Sequence, residues 1–414
     1  MFYAYDGRRV GTAAARSAPQ KVAASAPQPS HMTPCACHCA ACRAAGHSNG
    51  ACVILCAGLH DLFDGKADVV DLVLRYYYYG ACGWGTARFD APIRYVRYGP
   101  GDIIAAGGDD QRIHLLCAQT GERILCPQMG HTGEVLSVCF DRTGQRLASC
   151  GGHNDYSIRL WSTESGTPIG SPLTGHHPSR DDVSALSWSP DGIKLASGSN
   201  DKTVKIWNPA TGRELCELSV DGRVDSIAFA PCGNSLAVAS NNFSGGGSYS
   251  VQIFTTDEST GNLACQSTLR GQDRYHDHAI KSLSWSPDST RLVTGSADGT
   301  AKIWNLATGE ELCKLTGNTQ WVCPVAWSPD GTKLASGRND KTVKIWNPAT
   351  GEQLWQLKVD GSVTSVVWST CGSKIAAACN DHGNKNYTVR ILSSELRACY
   401  SEGFKDSESG RGNP

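Results

Sequence analysis

Methionine is scarce in this chain, with three in 414 residues, and phenylalanine is little commoner at eight. Long hydrophobic runs are missing. The best is the stretch CVILCAGL from Cys52 to Leu59, far short of the ~20 residues a membrane helix needs. Neither sign of charge is in excess: 38 Lys and Arg stand against 39 Asp and Glu. That balance argues against a globally basic nucleic-acid or membrane-surface binder. What the chain does have is glycine, 45 residues, and tryptophan, 11. The combination suits a turn-rich all-β chain better than a helical bundle. An apolar fraction of 40% provides for a sizeable core. The 19 cysteines are odd in number; seven precede residue 90 and the rest are scattered singly, mostly in strand-like runs. That scatter reads as buried thiols of a cytoplasmic protein and not as a disulfide framework.

Composition changes near residue 60. Residues 1–60 hold five basic side chains against one acid, Asp6, and are rich in Ala, Ser and Pro. They read as a disordered tail, with an organelle transit peptide as the alternative. Cys35, Cys37, Cys39 and Cys42, with His31 and His47 nearby, could hold a soft metal ion, but the crowding departs from the usual paired Cys-x-x-Cys spacing. No metal or other cofactor is therefore expected. Residues 61–92 form a linker with a possible closing strand, and residues 401–414 a second tail.

From residue 93 to 400 the chain repeats itself. An apolar–x–x–apolar–x–aromatic unit recurs at Ile93–Tyr98, Val135–Phe140, Val183–Trp188, Val224–Phe229, Ile280–Trp285, Val322–Trp327 and Val363–Trp368. A second strand begins at Ile104, Leu147, Leu195, Leu236, Leu292, Leu334 and Ile375. A third ends at Leu116, Trp161, Trp207, Phe254, Trp304, Trp346 and Leu392, and a fourth apolar stretch follows. Alternation of this kind marks half-buried strands. Seven four-stranded units cannot bury both faces alone, so they must stack, and closing the stack into a ring removes free edges. The seventh unit needs a fourth strand from elsewhere. Leu72–Tyr79, with its four tyrosines, is preferred over Leu396–Tyr400.

The segments SPDGIKLASGSNDKTVKIWNPATG (Ser189–Gly212) and SPDGTKLASGRNDKTVKIWNPATG (Ser328–Gly351) resemble WD40 repeats. The resemblance implies an all-β, seven-bladed propeller. It further implies that a His, a Ser or Thr, an Asp and a Trp are linked within each blade. Carried over, these are His131, Ser149, Asp155 and Trp161 in the second repeat; Ser197, Asp201 and Trp207 with His176 or His177 in the third; Thr294, Asp298 and Trp304 with His276 or His278 in the fifth; and Ser336, Asp340 and Trp346 in the sixth, where Asn318 replaces the His. Their recurrence around a ring marks scaffolding and not a hydrolase triad, so no catalytic residue is assigned. Repeats three and six match closely, as do four and seven with their shared insertions, which points to an internal three-blade duplication.

The loops before the first strands and the turns between second and third strands open on one face. Long insertions at Asn241–Ser250 and Asn380–Thr388 lie there. Loop elaboration on one rim of a rigid scaffold is the layout of a binding surface. Trp321 and Arg338 are the expected centre, since Trp and Arg are common interface anchors. Glu134, Asp182, Arg223, Arg180, Tyr249, Arg274, Tyr275 and Tyr387 complete the candidate partner-binding set. The expected function is a non-catalytic scaffold for protein or peptide partners, a monomeric propeller within a larger complex. A propeller enzyme with an axial pocket and a metal-binding Cys cluster are the rivals.

Overall fold

A computed structural model describes residues 85–393, apart from 126–127, 178–181, 244–247, 257–262, 270–275 and 317–321. The Cys35–Cys42 cluster, both tails, Leu72–Tyr79 and Leu396–Tyr400 lie outside the described residues.

Seven antiparallel sheets follow one another along the chain. The inner strands are Ile93–Gly99, Val135–Phe140, Val183–Trp188, Arg223–Phe229, Ile280–Trp285, Val322–Trp327 and Ser362–Trp368, each within a residue of the repeating unit. Blade 3 is typical: Val183–Trp188, Leu195–Ser199, Thr203–Asn208 and Arg213–Ser219 pair in chain order. In blade 2 the fourth place is held only by isolated bridges, Ile158 to Leu173 and Trp161 to Pro168.

The pleat sends alternate residues to opposite faces of each blade, and each face is buried against a different neighbour. In blade 3, Val204 and Ile206 pack with Val224, Ile227 and Phe229 of blade 4. Trp207 and Leu195 face the other way, against Cys150, Ile158 and Leu160 of blade 2. No blade is therefore buried without both neighbours. Close approach demands small residues: a β-carbon on Gly198 would collide with Val224, and one on Gly337 with Val363. Indole N–H groups also cross between blades, from Trp188 to the Cys139 carbonyl at 3.1 Å, Trp285 to Ala228 at 2.8 Å and Trp368 to Ala326 at 3.1 Å.

The ring is closed from the N-terminal side, by a strand within the 61–92 linker that lies downstream of Leu72–Tyr79. Thr86–Phe89 is the fourth strand of blade 7, running antiparallel to Asn386–Ser393 with Thr86 opposite Arg390 and Phe89 opposite Tyr387. Ala87 and Phe89 turn inward and join a core with Ile93 and Leu116 of blade 1 and Val389 and Ile391 of blade 7. The reason is chain length: only three residues lie between Phe89 and Ile93, so the strand reaches blade 7 directly from the start of blade 1. Asn380 completes the closure. Its Oδ1 accepts the Ile93 N–H at 3.0 Å and its Nδ2 donates to the Ile93 carbonyl at 2.8 Å. Asn241 repeats the device between blades 4 and 5, with 2.9 Å to both the N–H and the carbonyl of Ile280. Sharing of this amide clasp by blades 4 and 7 fits the duplication read from the sequence.

Candidate functional site

The expected polar sets are assembled in blades 2, 3 and 5. In blade 3 the Trp207 N–H donates to Ser197 Oγ at 2.8 Å, and Ser197 bonds His176 Nε2 at 2.7 Å. His176 Nδ1 is 2.8 Å from Asp201 Oδ2. With the hydroxyl oxygen accepting from the indole N–H, its own O–H donates to Nε2, which leaves Nδ1–H to donate to the carboxylate. His131, Ser149, Asp155 and Trp161 repeat this in blade 2, as do His276, Thr294, Asp298 and Trp304 in blade 5. The rings that reach these carboxylates are therefore His176 and His276, not the neighbouring His177 and His278; His177 adds its backbone N–H to Asp201 at 3.1 Å. The second carboxylate oxygen takes the hydroxyl of Thr203, Thr300 or Ser157. Burial alone would raise these carboxyls, but the histidine and hydroxyl donors outweigh it. Asp155 and Asp298 are held at about 2, and Asp201 is likewise lowered. Each histidine side chain is 1% exposed, and Ser149, Ser197 and Thr294 are 0% exposed, so the hydroxyls bonded to these imidazoles are not open to a substrate.

Blades 1 and 6 fill the same need differently. Asp110 Oδ2 is met by Nε2 of His114, from the third strand, at 2.7 Å. In blade 6 the Trp346 N–H still reaches Ser336 Oγ at 2.9 Å, but Arg338 Nη1 donates to Asp340 Oδ2 at 2.8 Å. The guanidinium stands where the other blades present an imidazole. Arg338 is 1% exposed. It was expected at the centre of the partner-binding rim and instead turns into the blade, because the carboxylate there requires a donor. Tyr387 also turns inward, 8% exposed, opposite Phe89 in the closing sheet. Asn318, Trp321, Arg180, Arg274 and Tyr275 lie outside the described residues.

The alternating connections of a meander place the second-to-third-strand turns and the leading loops at one end of every blade. On that face the remaining candidates fall into two groups. Glu134 and Asp182 flank the exposed His153, whose Nδ1 is 3.8 Å and 3.4 Å from their carboxylates. Arg223 is exposed; its Nε donates to Asn200 at 3.1 Å and its guanidinium lies 5.8 Å from the Phe243 ring centroid. Phe243, 51% exposed, meets Tyr249 edge-on at 5.8 Å, and Tyr249 stacks on His278 at 5.9 Å with the rings 4° from parallel. This row runs from the blade 4 insertion to the loop leading into blade 5. Phe243 was not singled out from the sequence, although it lies within the insertion that was; His278 was singled out only as an alternative blade histidine. Among the described residues no group of three or more His, Cys, Asp or Glu side chains converges as metal ligands, and no helix is long and apolar enough to cross a membrane.

Seven sheets stacked through shared cores and closed by an N-terminal strand define a repeat propeller. A family model for the WD domain, G-beta repeat matches residues 123–162, 166–208, 264–305 and 309–347. These repeats end on the third strands that carry Trp161, Trp207, Trp304 and Trp346; blades 1, 4 and 7 lack the tryptophan. The chain is thus a WD40-repeat protein. It is similar to WD repeat-containing protein 1 of Bos taurus, 29% identical over 216 residues, 51% of this chain and 33% of that protein. Echinoderm microtubule-associated protein-like 2 of Rattus norvegicus is 27% identical over 234 residues, 56% of this chain and 33% of that protein. Small ribosomal subunit protein RACK1y of Oryza sativa subsp. japonica is 29% identical over 180 residues, 43% of this chain and 49% of that protein. The chain thus spans a third to a half of the length of these relatives.

Proposed function

We propose that this chain is a non-catalytic scaffold that binds protein or peptide partners on the face bearing the leading loops and the blade 4 insertion. One observation carries the reading: the row of Arg223, Phe243, Tyr249 and His278 crosses a blade junction with its central ring half exposed. Aromatic and arginine side chains at such a place are the usual anchors of an interface. The arginine fits a partner carboxylate, and Phe243 an apolar side chain beside it. Trp321, which precedes the inner strand of blade 6 as Arg223 begins that of blade 4, extends the surface by its place in the sequence. Glu134 and Asp182 give the adjoining part of the same face an acidic character, with Asn200 in contact with both Asp182 and Arg223. The nine cysteines whose side chains are described are free thiols, which supports a cytoplasmic setting.

The test is affinity capture with the full chain, followed by binding measurements on the partner recovered. Arg223→Ala and Phe243→Ala should each weaken binding by at least ~30-fold, as hot-spot losses of ~2 kcal/mol do. Tyr249→Ala and Trp321→Ala should also weaken it, and Lys333→Ala, on the opposite face, should not. Full binding by the first two variants with loss through Lys333→Ala would place the partner on the other side of the ring.

A further inference from the structure

On the face opposite the proposed partner surface, two turns meet where blade 7 abuts blade 1. They are the turn Ser369 to Lys374, between first and second strands, and the turn Cys117 to Glu122, after a third strand. Lys374 Nζ joins them by donating to the Ala118 carbonyl at 3.2 Å. Each turn carries a cysteine where three other repeats place an oxygen acceptor.

Cys371 stands at the position of Asp191, Asp288 and Asp330. In each of those turns Oδ1 accepts a serine hydroxyl from two residues earlier at 2.5 Å. It also accepts a backbone N–H from two residues later, at 2.9 to 3.0 Å. The cradle is built for an anion and holds Asp330 at about 2. Cys371 Sγ lies in the same cradle, 3.4 Å from Ser369 Oγ and 2.9 Å from Ser373 Oγ. Cys117 stands at the position of Asn208, Asn305 and Asn347, whose Oδ1 atoms accept the N–H two residues on at 3.0, 2.9 and 2.9 Å. Its sulfur faces the Gln119 and Thr120 N–H groups and the Thr120 hydroxyl.

These surroundings favour thiolate. The Ser369 and Ser373 donors lower the Cys371 pKa; for Cys117, burial pushes upward but the turn donors and the Lys374 charge outweigh it. Elsewhere burial does the reverse and pushes Cys139 and Cys379 up to about 12. A separate observation marks the seam. Tyr98 is 8% exposed, and its buried hydroxyl has no hydrogen-bond partner. It lies near enough to both sulfurs for their charges, after burial and Asp102, to raise its pKa. A buried donor beside two sulfurs suits an acceptor arriving on them.

We propose that this seam is a thiol-modification site that undergoes exchange with low-molecular-weight disulfides, with Cys371 as the faster thiol and Cys117 as the second. The Cys371 thiolate attacks one sulfur of the disulfide. That S–S bond breaks, a mixed disulfide forms on Cys371, and the leaving thiolate takes up the proton that Cys371 released. The step needs no further oxidant.

The chain holds its own control. Cys232 is also exposed and occupies the same turn position in blade 4, but Ala230 and Asn234 replace the two serines. The test is mass-spectrometric mapping of the full chain under limiting iodoacetamide, and separately under glutathione disulfide, at neutral pH. Cys371 should react several-fold faster than Cys232 and Cys265, because its hydrogen-bonded turn holds more thiolate, a gain only partly offset by the lower nucleophilicity of a more acidic thiol. Cys117 should fall between them. Ser369→Ala with Ser373→Ala should reduce the Cys371 rate to that of Cys232, and Ala230→Ser with Asn234→Ser should raise the Cys232 rate. Equal rates at Cys371 and Cys232 in the parent chain would overturn the proposal whether or not the variants fold.

Discussion

Blades 3 and 6 are the most alike in sequence, yet they solve the same electrostatic problem with different groups. Ser189–Gly212 and Ser328–Gly351 differ only at Ile193/Thr332 and Ser199/Arg338, leaving 22 of 24 positions identical. Blade 3 brings His176 from the preceding loop to Asp201, and Ser199 accepts the Asp201 N–H at 3.1 Å. Blade 6 has an arginine at the serine position and uses it to hold Asp340 from within the strand. The added charge is felt nearby. Lys205 of blade 3 lies between Glu214 and Glu217, whose pull overcomes burial and raises its pKa. Its equivalent Lys344 pairs in register with Gln356, and burial together with the Arg338 charge lowers its pKa. The aspartate is the fixed element of the repeat, and its donor is exchangeable so long as one is buried beside it.

The shared tryptophan gives the largest expected effect and the one that should not distinguish the two blades. Trp207→Ala and Trp346→Ala should each cost ~3–5 kcal/mol, combining a core cavity with a lost indole hydrogen bond. Both side chains are 2% exposed and donate to an equivalent serine. Denaturant unfolding gives the values, and a difference above ~1 kcal/mol would mean that the arginine has changed the packing as well as the polar network.

Next in size is the arginine itself. Arg338→Ala removes a cation buried against a carboxylate whose side chain is 26% exposed. Breaking a fully buried pair costs ~3–5 kcal/mol; partial access of water to Asp340 lowers the expectation to ~2–3 kcal/mol. Ser199→Ala in blade 3 should cost less, ~1 kcal/mol, since what it loses is neutral hydrogen bonding such as that from the Asp201 N–H. Comparable losses for the two variants would show that His176 and Arg338 do not play parallel roles.

These contrasts also show what the sequence could and could not reveal. The inner strands were legible because period-two alternation repeats seven times. His176 and His276 were legible only as members of pairs, since composition cannot say which of two nearby rings reaches the carboxylate. Thr86–Phe89 escaped notice because four residues with one aromatic carry little signal, while the tyrosine run upstream carried a strong one. Arg338 was legible as unusual but was read as a surface anchor. Its inward turn follows from a clue that was present: a blade with Asn318 in place of the histidine still needs a buried donor for Asp340. Phe243 was hidden because a lone phenylalanine in an insertion looks like any other strand residue until the hairpin leans on its neighbour.

If the donors are exchangeable, blade 3 should accept the blade 6 arrangement. His176→Asn alone should destabilise by ~1–3 kcal/mol, leaving Asp201 short of a buried donor. Ser199→Arg alone should destabilise by a similar amount, because the guanidinium meets an imidazole already in place. Together they should cost less than the sum, with a coupling of ~1–2 kcal/mol in the compensating direction. A double-mutant cycle from urea unfolding measures it. A coupling near zero would mean that Arg338 depends on features of blade 6 beyond the 24 compared positions.

The smallest expected effect is on the proton linkage of one aspartate. The Asp201 pKa is lowered below its usual 3.8: burial opposes the shift, but His176, Thr203 and the His177 N–H prevail. The unfolded chain therefore binds more protons at this group as pH falls below 3.8, and stability must fall with it. The contribution is fully present at neutral pH and drains away only in acid. Asp201→Asn cannot take up that proton, so its stability should fall less steeply over the acid limb. The difference is below one proton, or less than ~1.4 kcal/mol per pH unit. Above about pH 5 the variant should run parallel to the parent, offset by a constant loss, because the carboxyl is ionised in both folded and unfolded chains there. Urea unfolding at a series of pH values from neutral to about 3 measures both limbs. Parallel curves throughout would mean that the carboxylate in blade 3 draws no stability from its histidine and threonine donors, and that what the two blades share is geometry alone.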